Sequence, residues 1–263
     1  MAELIPLTPA EIHVWLAFYD GIAEEHLHSA YRALLNAAER EQEPRFYFAA
    51  DRRRYLVTRA LVRIVMSRYV CIHPREWIFS TNAHGRPEAV NPQARDAGMS
   101  FNVSHTRGLI VLGVTRRRAL GVDVEHVRAR AVSIDIADRY FAPQEVAALT
   151  AVTPQQRQYR FFEYWTLKEA YIKARGMGLS LPLDKFSFQL SDDRAVELVI
   201  HPELADAAAR WGFLQFRPLP EYLVAICAER VAASSPRLIV RQTIPMISES
   251  DVAPEVLRVS GCP

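Results

Sequence analysis

The chain has 263 residues, half of them hydrophobic, and its 32 basic and 30 acidic side chains give a net charge of +2. This balance excludes a polycationic surface, so charge does not indicate a nucleic-acid-binding protein, and the hydrophobic content argues against extensive disorder. Three scattered cysteines, Cys71, Cys227 and Cys262, show neither a disulfide framework nor zinc-ligand spacing. Because no signal-like or membrane-spanning segment is evident, we expect a soluble cytoplasmic protein that acts without a membrane.

The first part of the chain predicts one strand and two helices. A nearly continuous apolar run at 13–19 predicts a strand buried on both faces. Apolar residues three and four apart predict a helix from Ala23 to about Gln42, and a similar stripe predicts a longer helix from Phe46 to Val70. The second helix carries arginines that form either a solvated basic face or an anion-binding surface. They are Arg52, Arg53, Arg54, Arg59, Arg63 and Arg68.

A turn is predicted before residue 90. Residues 77–80 predict a short strand that leads into a turn-rich segment at 82–87. Gly85 can adopt a positive φ, and Pro87 fixes the direction in which the chain leaves the turn. Arg86 is therefore presented on a loop.

The middle of the chain predicts β-structure, and the remainder mixes helices with strands. Residues 100–104, 109–115 and 120–125 predict three successive strands that form a meander. Three helical patterns follow at 134–141, 143–149 and 155–175, the last ended by Gly176 and Gly178. Four more strands are predicted at 186–190, 196–200, 211–216 and 222–227.

This order of elements predicts an α+β protein whose two halves meet near residues 116–120. We place an N-terminal α+β lobe at 1–117 and a C-terminal α+β lobe, carrying the metal site argued below, at 118–231. From residue 232 to 263 no sustained period is present, so this segment predicts an extended or poorly ordered tail.

Two carboxylates share one face of the strand at 120–125. Asp123 and Glu125 are two residues apart, so both side chains project from the same side. Such carboxylates repel each other unless a cation lies between them, and oxygen ligands favour a hard ion such as Mg²⁺. A sheet face open to solvent would explain the same pattern without a metal.

The helix at 155–175 carries a third carboxylate on its apolar side. At 100° per residue, Glu169 falls within the stripe formed by Trp165 and Ile172, which should face the core. Delivered to the strand pair, it would complete an oxygen site, and Lys173 one turn later would then face a bound phosphate. A simple ion pair between Glu169 and Lys173 on the helix surface is the alternative.

Ser104 and His105 stand where a predicted strand ends. A lone histidine in such a place is more often structural. Ser104 lacks the glycine setting of a hydrolase nucleophile. We interpret both residues as ligands of an anion or a phosphate.

Three blocks, at 101–105, 121–125 and 165–173, resemble the signature segments of the 4′-phosphopantetheinyl transferases, specifically the long, two-lobed Sfp-type group. They read Phe-Asn-Val-Ser-His, Gly-Val-Asp-Val-Glu and Trp-Thr-Leu-Lys-Glu-Ala-Tyr-Ile-Lys. Residues 82–87 are similar to that group's Gly-Lys-Pro segment, with Arg86 in place of lysine, and residues 52–63 are similar to its basic helix. The resemblance spans roughly residues 10–228 and leaves the tail outside.

The resemblance implies a pseudo-twofold pair of α+β lobes with the active site in the cleft between them. It implies transfer of the 4′-phosphopantetheine group from coenzyme A to a serine of an apo acyl or peptidyl carrier protein. Mg²⁺ would be required and 3′,5′-ADP released by a monomer. Fatty-acid, polyketide and nonribosomal-peptide carriers all stay open. A Mg²⁺-dependent pyrophosphate hydrolase and a non-catalytic coenzyme A-binding or carrier-binding scaffold are the alternatives.

Carried over by position, the resemblance assigns site residues to three roles. The Mg²⁺ ligands would be Asp123, Glu125 and Glu169. The catalytic residues would be Glu169, Lys173 and His105, with Glu169 as base for the serine hydroxyl, directly or through water. The coenzyme A ligands would be Arg54, Arg86, Ser104, His105 and Lys173.

Overall fold

The computed structural model describes residues 4–129, 135–191, 194–231 and 236–261, in which helices and strands alternate. The helices are α1 Glu25–Arg32, α2 Ala37–Gln42, α3 Ala49–Met66, α4 Pro92–Asp96, α5 Asp135–Tyr140, α6 Pro143–Ala151 and α7 Pro154–Arg175. The strands are β1 Glu11–Phe18, β2 Phe79–Thr81, β3 Pro87–Ala89, β4 Met99–Thr106, β5 Leu109–Arg116, β6 Leu120–His126, β7 Phe186–Leu190, β8 Val196–Ile200, β9 Trp211–Arg217, β10 Tyr222–Glu229, β11 Arg237–Ile244, β12 Ser248–Val252 and β13 Glu255–Val259. The predicted α+β class is confirmed.

Two larger sheets form the frame of the protein. The first has the strand order β12-β11-β1-β5-β4, and the second has the order β13-β9-β10-β6. Within them β11 runs parallel to β1, and the other neighbours are antiparallel. Two short hairpins, β2-β3 and β7-β8, stand beside these sheets. Strands β5 and β6, which are consecutive in the chain, therefore belong to different sheets.

The predicted meander is wrong at its third strand. β4 and β5 pair along their whole length, but β6 pairs with β10 instead of β5. The reason lies in the apolar side chains of β6, because Leu120 and Val122 pack face to face against the first sheet rather than beside its edge. Alternation in sequence shows that a strand is buried, but it does not distinguish pairing at an edge from packing across a face.

The core is arranged in layers. α3 packs on one face of the first sheet, α7 packs on one face of the second, and the two remaining faces enclose a third apolar cluster. In β1, Trp15 points toward α3 while Val14 points toward the second sheet, so the strand is buried on both sides as predicted. Each fully buried side chain of this kind contributes about 1.5–3 kcal/mol.

The predicted helix from Ala23 to Gln42 is two helices, α1 and α2. Asn36 begins α2, because its side chain accepts a hydrogen bond from the Glu39 backbone N–H at 2.9 Å while the Glu39 carboxylate accepts one from the Asn36 N–H. This capping box satisfies backbone donors at the start of a helix. In the sequence, Ala38 of α2 continues the apolar spacing of α1 although its side chain is exposed in the structure, so periodicity alone does not reveal the break.

Part of the segment predicted to be an extended or poorly ordered tail forms the strands β11, β12 and β13 between residues 237 and 259. β11 and β12 enlarge the first sheet, and β13 pairs with β9 of the second. Tyr31 donates a hydrogen bond to the Pro245 carbonyl, and Arg258 pairs with Glu163 at 2.9 Å. These contacts come from distant parts of the chain, so the weak local period of the segment does not predict them.

The described part of the chain does not include residues 130–134, 192–193, 232–235 and 262–263. Cys262 and the predicted start of a helix at residue 134 therefore lie outside it. Cys71 is exposed and Cys227 is buried. Within the described ranges, no helix combines the length and the apolar character needed to cross a membrane.

Candidate active site

A cleft of about 600 Å³ opens between α3, β4, β6 and α7. Seven of the eight predicted site residues line it: Arg54 from α3, Ser104 and His105 from β4, Asp123 and Glu125 from β6, and Glu169 and Lys173 from α7. The eighth, Arg86, lines a neighbouring pocket of about 200 Å³. The cleft thus joins residues from the first half of the chain, up to β4, with residues from β6 and α7.

A glycine lets α7 lie close to β6. A Cβ atom added to Gly121 would lie 1.9 Å from the Ala170 carbonyl oxygen and 2.4 Å from the Ala174 nitrogen. No side chain fits in that space, and the small Ala170 and Ala174 meet the glycine from the helix side. This close approach brings Glu169 and Lys173 to the face of β6 that carries Asp123.

The sequence of α7 explains where the helix begins and where it ends. Pro154 stands at the first turn behind Thr153, whose N–H and hydroxyl donate to the Gln156 side chain. Gly176 ends the helix in the left-handed region at φ 66°. These signals fix the length of the helix and hence the positions of its site residues.

Lys173, Asp123 and Ser104 form the polar centre of the cleft. Lys173 Nζ lies 2.6 Å from Asp123 Oδ1 and donates to Ser104 Oγ at 2.9 Å. The Ser104 hydroxyl in turn donates to Asp123 Oδ1 at 3.0 Å. Asp123 Oδ2, by contrast, is buried and has no hydrogen-bond partner among the described residues. A buried carboxylate oxygen without a partner is costly, so this atom indicates a place for a positively charged group.

The pKa of Glu169 is raised, first by burial and then by the negative charge of Asp123, while Lys173 opposes the rise. The carboxylate therefore holds a proton more readily than an ordinary glutamate. The sequence placed Glu169 on the apolar stripe of the helix, and its half-buried position at the cleft agrees with that placement.

His105 has a lowered pKa. Its side chain is open to solvent in the cleft, yet the surrounding walls desolvate the imidazole, and the charges of Arg54 and Lys173 oppose a further positive charge. The charged form of the ring is therefore less favoured than that of an ordinary histidine.

Asp123, Glu125 and Glu169 together offer oxygen atoms to a hard cation. In the described part of the chain, no three His, Cys, Asp or Glu side chains already form a metal-binding group. A cation would nevertheless give the partnerless Asp123 Oδ2 a partner and would favour the ionised form of Glu169, whose pKa is raised first by burial and then by the charge of Asp123. An all-oxygen set of this kind fits Mg²⁺, which uses few protein carboxylates and completes its shell with substrate oxygens.

The arginines of the second predicted helix do not form one surface. Arg54 and Arg59 line the cleft, and Arg54 pairs with Asp51 at 2.9 Å. Arg63 is fully buried and pairs with Glu39 at 2.7 Å, while Arg68 lies beyond the end of α3 and pairs with Glu249. The anion-binding interpretation therefore remains for part of the run only.

Sequence reasoning missed several residues that line the cleft. Tyr55 and Trp165, which the periodicity assigns to apolar stripes, lie at its wall, together with Phe46. Their exposure at a cleft depends on what packs opposite them, so no local signal separates them from core residues.

Two family models match consecutive parts of the chain. The model described as "4'-phosphopantetheinyl transferase, N-terminal" matches residues 23–116, and the model of the 4′-phosphopantetheinyl transferase superfamily matches residues 119–227. The chain belongs to the 4′-phosphopantetheinyl transferase superfamily. The resemblance drawn from the three sequence blocks is thereby confirmed, and the strands β11 to β13 lie outside both superfamily models.

Curated 4′-phosphopantetheinyl transferases are similar to most of the chain. The enzyme named Sfp from Bacillus subtilis is 32% identical, and the match covers 80% of this chain and 89% of that protein. A second Bacillus subtilis transferase is 35% identical over 74% of this chain and 83% of its own length. The transferase named HetI from a Nostoc species is 29% identical over 84% of this chain and 89% of its own.

Proposed function

We propose that this transferase moves the 4′-phosphopantetheine group from coenzyme A to a serine of an apo acyl or peptidyl carrier protein, with Mg²⁺, and releases 3′,5′-ADP. The observation that carries the proposal is the single cleft in which Asp123, Glu125 and Glu169 meet Lys173 beside the phosphate-binding candidates of β4. Membership of the superfamily supports the reaction class. The donor, the metal and the product are part of this proposal.

The reaction is a displacement at phosphorus. The serine oxygen forms a bond to the β-phosphorus of coenzyme A, the bond from that phosphorus to the bridging oxygen breaks, and 3′,5′-ADP leaves with this oxygen. When bound by Asp123, Glu125 and Glu169, Mg²⁺ would neutralise charge on the pyrophosphate oxygens.

Lys173 has the position and charge to stabilise the transferring phosphate. Its ammonium group lies on Asp123 Oδ1 and is about a quarter exposed to the cleft, so it can exchange that partner for a phosphate oxygen. Ser104 and His105 add hydrogen-bonding groups on the neighbouring strand, and Arg54 adds positive charge at the opposite wall.

Glu169 is the proposed base for the carrier serine. Its carboxylate lines the cleft together with Asp123 and Lys173, where the serine hydroxyl of a carrier would enter. It accepts the serine proton directly or through one water molecule. The lowered pKa of His105 disfavours its charged form, so we assign it a hydrogen bond to the phosphate rather than a positive charge.

The remaining expectations belong to the same proposal. We infer a pseudo-twofold relation between an N-terminal lobe at 1–117 and a C-terminal lobe at 118–231, a monomeric enzyme, and action in the cytoplasm. The carrier's pathway stays open among fatty-acid, polyketide and nonribosomal-peptide synthesis.

One assay tests the reaction. The chain is incubated with coenzyme A and an apo carrier protein, with and without Mg²⁺, and the carrier is examined by mass spectrometry while nucleotides are separated by chromatography. We expect the carrier to gain one phosphopantetheinyl group and 3′,5′-ADP to appear in equal amount, only with Mg²⁺. Cleavage of coenzyme A without a change in carrier mass would favour hydrolysis, and binding without turnover would favour a scaffold.

A matched pair of variants controls the assay. Glu169→Gln removes the proposed base and should abolish the mass gain. Glu163→Gln neutralises another buried carboxylate of α7, one that pairs with Arg258 and Arg160 instead of lining the cleft. Folded Glu163→Gln should transfer at the wild-type rate, and equal loss in both variants would remove Glu169 from its role.

A further inference from the structure

We infer that Arg86 is a positioning residue that fastens the end of α7 to the start of β6, rather than a ligand of coenzyme A. The resemblance gives this position to coenzyme A binding, where the related group carries a lysine. In the structure its guanidinium is directed at backbone carbonyls of the two elements that carry Lys173 and Asp123. The inference concerns transfer and so rests on the proposed function, but one of its tests does not.

The guanidinium of Arg86 donates to three carbonyl oxygens. Nη1 donates to the carbonyls of Lys173 at 2.8 Å and Ala174 at 3.3 Å, and Nη2 donates to the carbonyl of Leu120 at 3.1 Å. The first two belong to the last turn of α7, where the Gly176 N–H also donates to the Lys173 carbonyl at 3.2 Å and, among the described residues, no further backbone N–H donates to either carbonyl. A cation at this end also complements the helix dipole. Arg86 therefore holds both elements at once.

Asn82 completes the contact from the same turn. Its side-chain nitrogen donates to the Gly176 carbonyl at 3.0 Å, while its side-chain oxygen accepts from the backbone N–H groups of His84 and Arg86. Gly176 comes close to both residues, because an added Cβ would lie 3.4 Å from Asn82 Nδ2 and 3.6 Å from Arg86 Cδ. The turn between β2 and β3 is thus shaped to receive the end of α7.

The contact has a consequence for the cleft. Arg86 binds the backbone of Lys173 itself and of Leu120, which stands on β6 before Asp123. Hydrogen bonds from Arg86, in the N-terminal half of the chain, therefore hold the backbone on both sides of the ion pair between Lys173 and Asp123. Small displacements of reacting groups can reduce rates by about 100-fold. Loss of Arg86 should accordingly change turnover more than coenzyme A binding.

An arginine is needed for this role because its planar group presents several N–H donors in fixed directions. A lysine ammonium provides a point charge and can reach one carbonyl or the other, but it does not reproduce the fork. Phosphate binding, by contrast, tolerates either residue as a positive charge. The substitution Arg86→Lys therefore separates the two roles without removing the charge.

The kinetic test compares Arg86→Ala and Arg86→Lys with Arg54→Ala, an arginine that lines the cleft. For Arg86→Ala we expect kcat to fall about 10- to 100-fold with the KM for coenzyme A within about twofold of wild type. Arg86→Lys should recover only part of kcat. Arg54→Ala should give the opposite pattern, a raised KM with kcat nearly unchanged.

A second test needs no activity and covers variants that turn over poorly. Hydrogen–deuterium exchange of the wild type, Asn82→Ala and Arg86→Lys should show faster exchange at residues 172–176 in both variants. If Arg86→Lys matches the wild type in exchange and kcat, and Arg86→Ala raises the KM alone, Arg86 is a coenzyme A ligand and the inference is wrong. Should the wild type transfer to no carrier, the proposed function fails while the exchange result still decides the role of Arg86.

Discussion

Two lysines on α7 form ion pairs of nearly equal length in different surroundings. Lys168 Nζ lies 2.7 Å from Glu145 Oε2, and Lys173 Nζ lies 2.6 Å from Asp123 Oδ1. Both belong to the block at 165–173 that resembles the transferase signature. Distance alone therefore does not tell which pair maintains the fold and which one serves the reaction.

The Lys168 pair is complete and buried. Both side chains have no exposed surface, and Lys168 also donates to the carbonyls of Leu183 and Phe186 at 2.8 and 2.7 Å. The Glu145 oxygens accept backbone N–H groups from Ala142 and Phe188. Burial raises the pKa of Glu145 and lowers that of Lys168, and each partner's charge opposes the shift. Such a satisfied network specifies one arrangement of α6, α7 and β7.

The Lys173 pair is incomplete and open. Lys173 is 26% exposed, and Asp123 Oδ2 is buried without a hydrogen-bond partner in the described structure. A substrate phosphate or a cation can therefore enter and exchange partners with the pair. The degree to which a buried pair is satisfied, rather than its length, distinguishes the structural Lys168 pair from the Lys173 pair that we propose for the reaction.

The largest effect we predict breaks the structural pair. Lys168→Met should lower the free energy of unfolding by about 3–5 kcal/mol, because Glu145 is left buried without its cation. Lys173→Met should cost less than this, because Asp123 keeps the hydrogen bond from the Ser104 hydroxyl and Lys173 is itself 26% exposed. Denaturant unfolding of both variants at pH 7 measures the difference.

The same variants should reverse their order in activity. The fraction of Lys168→Met that folds should transfer at close to the wild-type rate, whereas Lys173→Met should be strongly impaired. Equal losses of stability in the two variants would show that the contrast between the pairs is unrelated to burial.

The next largest effect we predict follows from removing the charge of Asp123 in its pair with Lys173. Asp123→Asn should lower kcat/KM about 100- to 1000-fold, because the amide keeps the size and one acceptor of the side chain but loses the charge. The unfolding midpoint should change little. Glu163→Gln serves as control for neutralising a buried carboxylate outside the cleft, and Asp123→Asn with more than a tenth of wild-type activity at saturating Mg²⁺ and coenzyme A would contradict the assignment.

Much of the candidate site could be predicted from the local sequence, because its polar residues stand at positions where the strand or helix pattern predicts burial. The spacing of two between Asp123 and Glu125 fixes a shared strand face, and Glu169 interrupts an apolar helical stripe. The structure brings all three to one cleft, as the sequence required. Polar groups in positions patterned for burial are informative since burial demands a partner.

Features that depend on distant contacts could not be predicted in this way. Lys168 neighbours Glu169 in sequence, yet its partner Glu145 comes from another helix, and nothing local distinguishes it from a surface lysine. Arg86 is presented on a turn as expected, but its target is the end of α7, which lies far along the chain. The strands β11 and β13 likewise depend on sheet edges supplied by other segments.

The smallest effect we predict concerns Glu169 and pH. Its pKa in the folded protein is raised above the ordinary value of 4.5 by burial and by Asp123, so the folded state binds the proton more tightly than the unfolded state. The protonated carboxylate is thus compatible with the fold below pH 4.5. The free energy of unfolding falls as pH rises from 4.5 through the raised pKa of the folded state, and above that pKa the ionised carboxylate destabilises the fold. Without divalent ions, Glu169→Gln should raise the Tm at pH 7.5 by on the order of 2 °C.

The pH and metal dependence identify the source of that shift. The difference in Tm between Glu169→Gln and wild type should shrink as pH is lowered toward 4.5, the ordinary pKa of glutamate, where about half of the unfolded and more than half of the folded carboxylates are protonated. Added Mg²⁺ should stabilise the wild type more than the variant, because a cation favours the ionised carboxylate. Thermal scans at pH 4.5 and 7.5, with and without Mg²⁺, measure both trends. A wild type that is more stable than the variant at pH 7.5 without Mg²⁺ would mean that Glu169 carries no unfavourable charge. The contrast between a complete and an incomplete group of charges on α7 would then rest on the pairs of Lys168 and Lys173 alone.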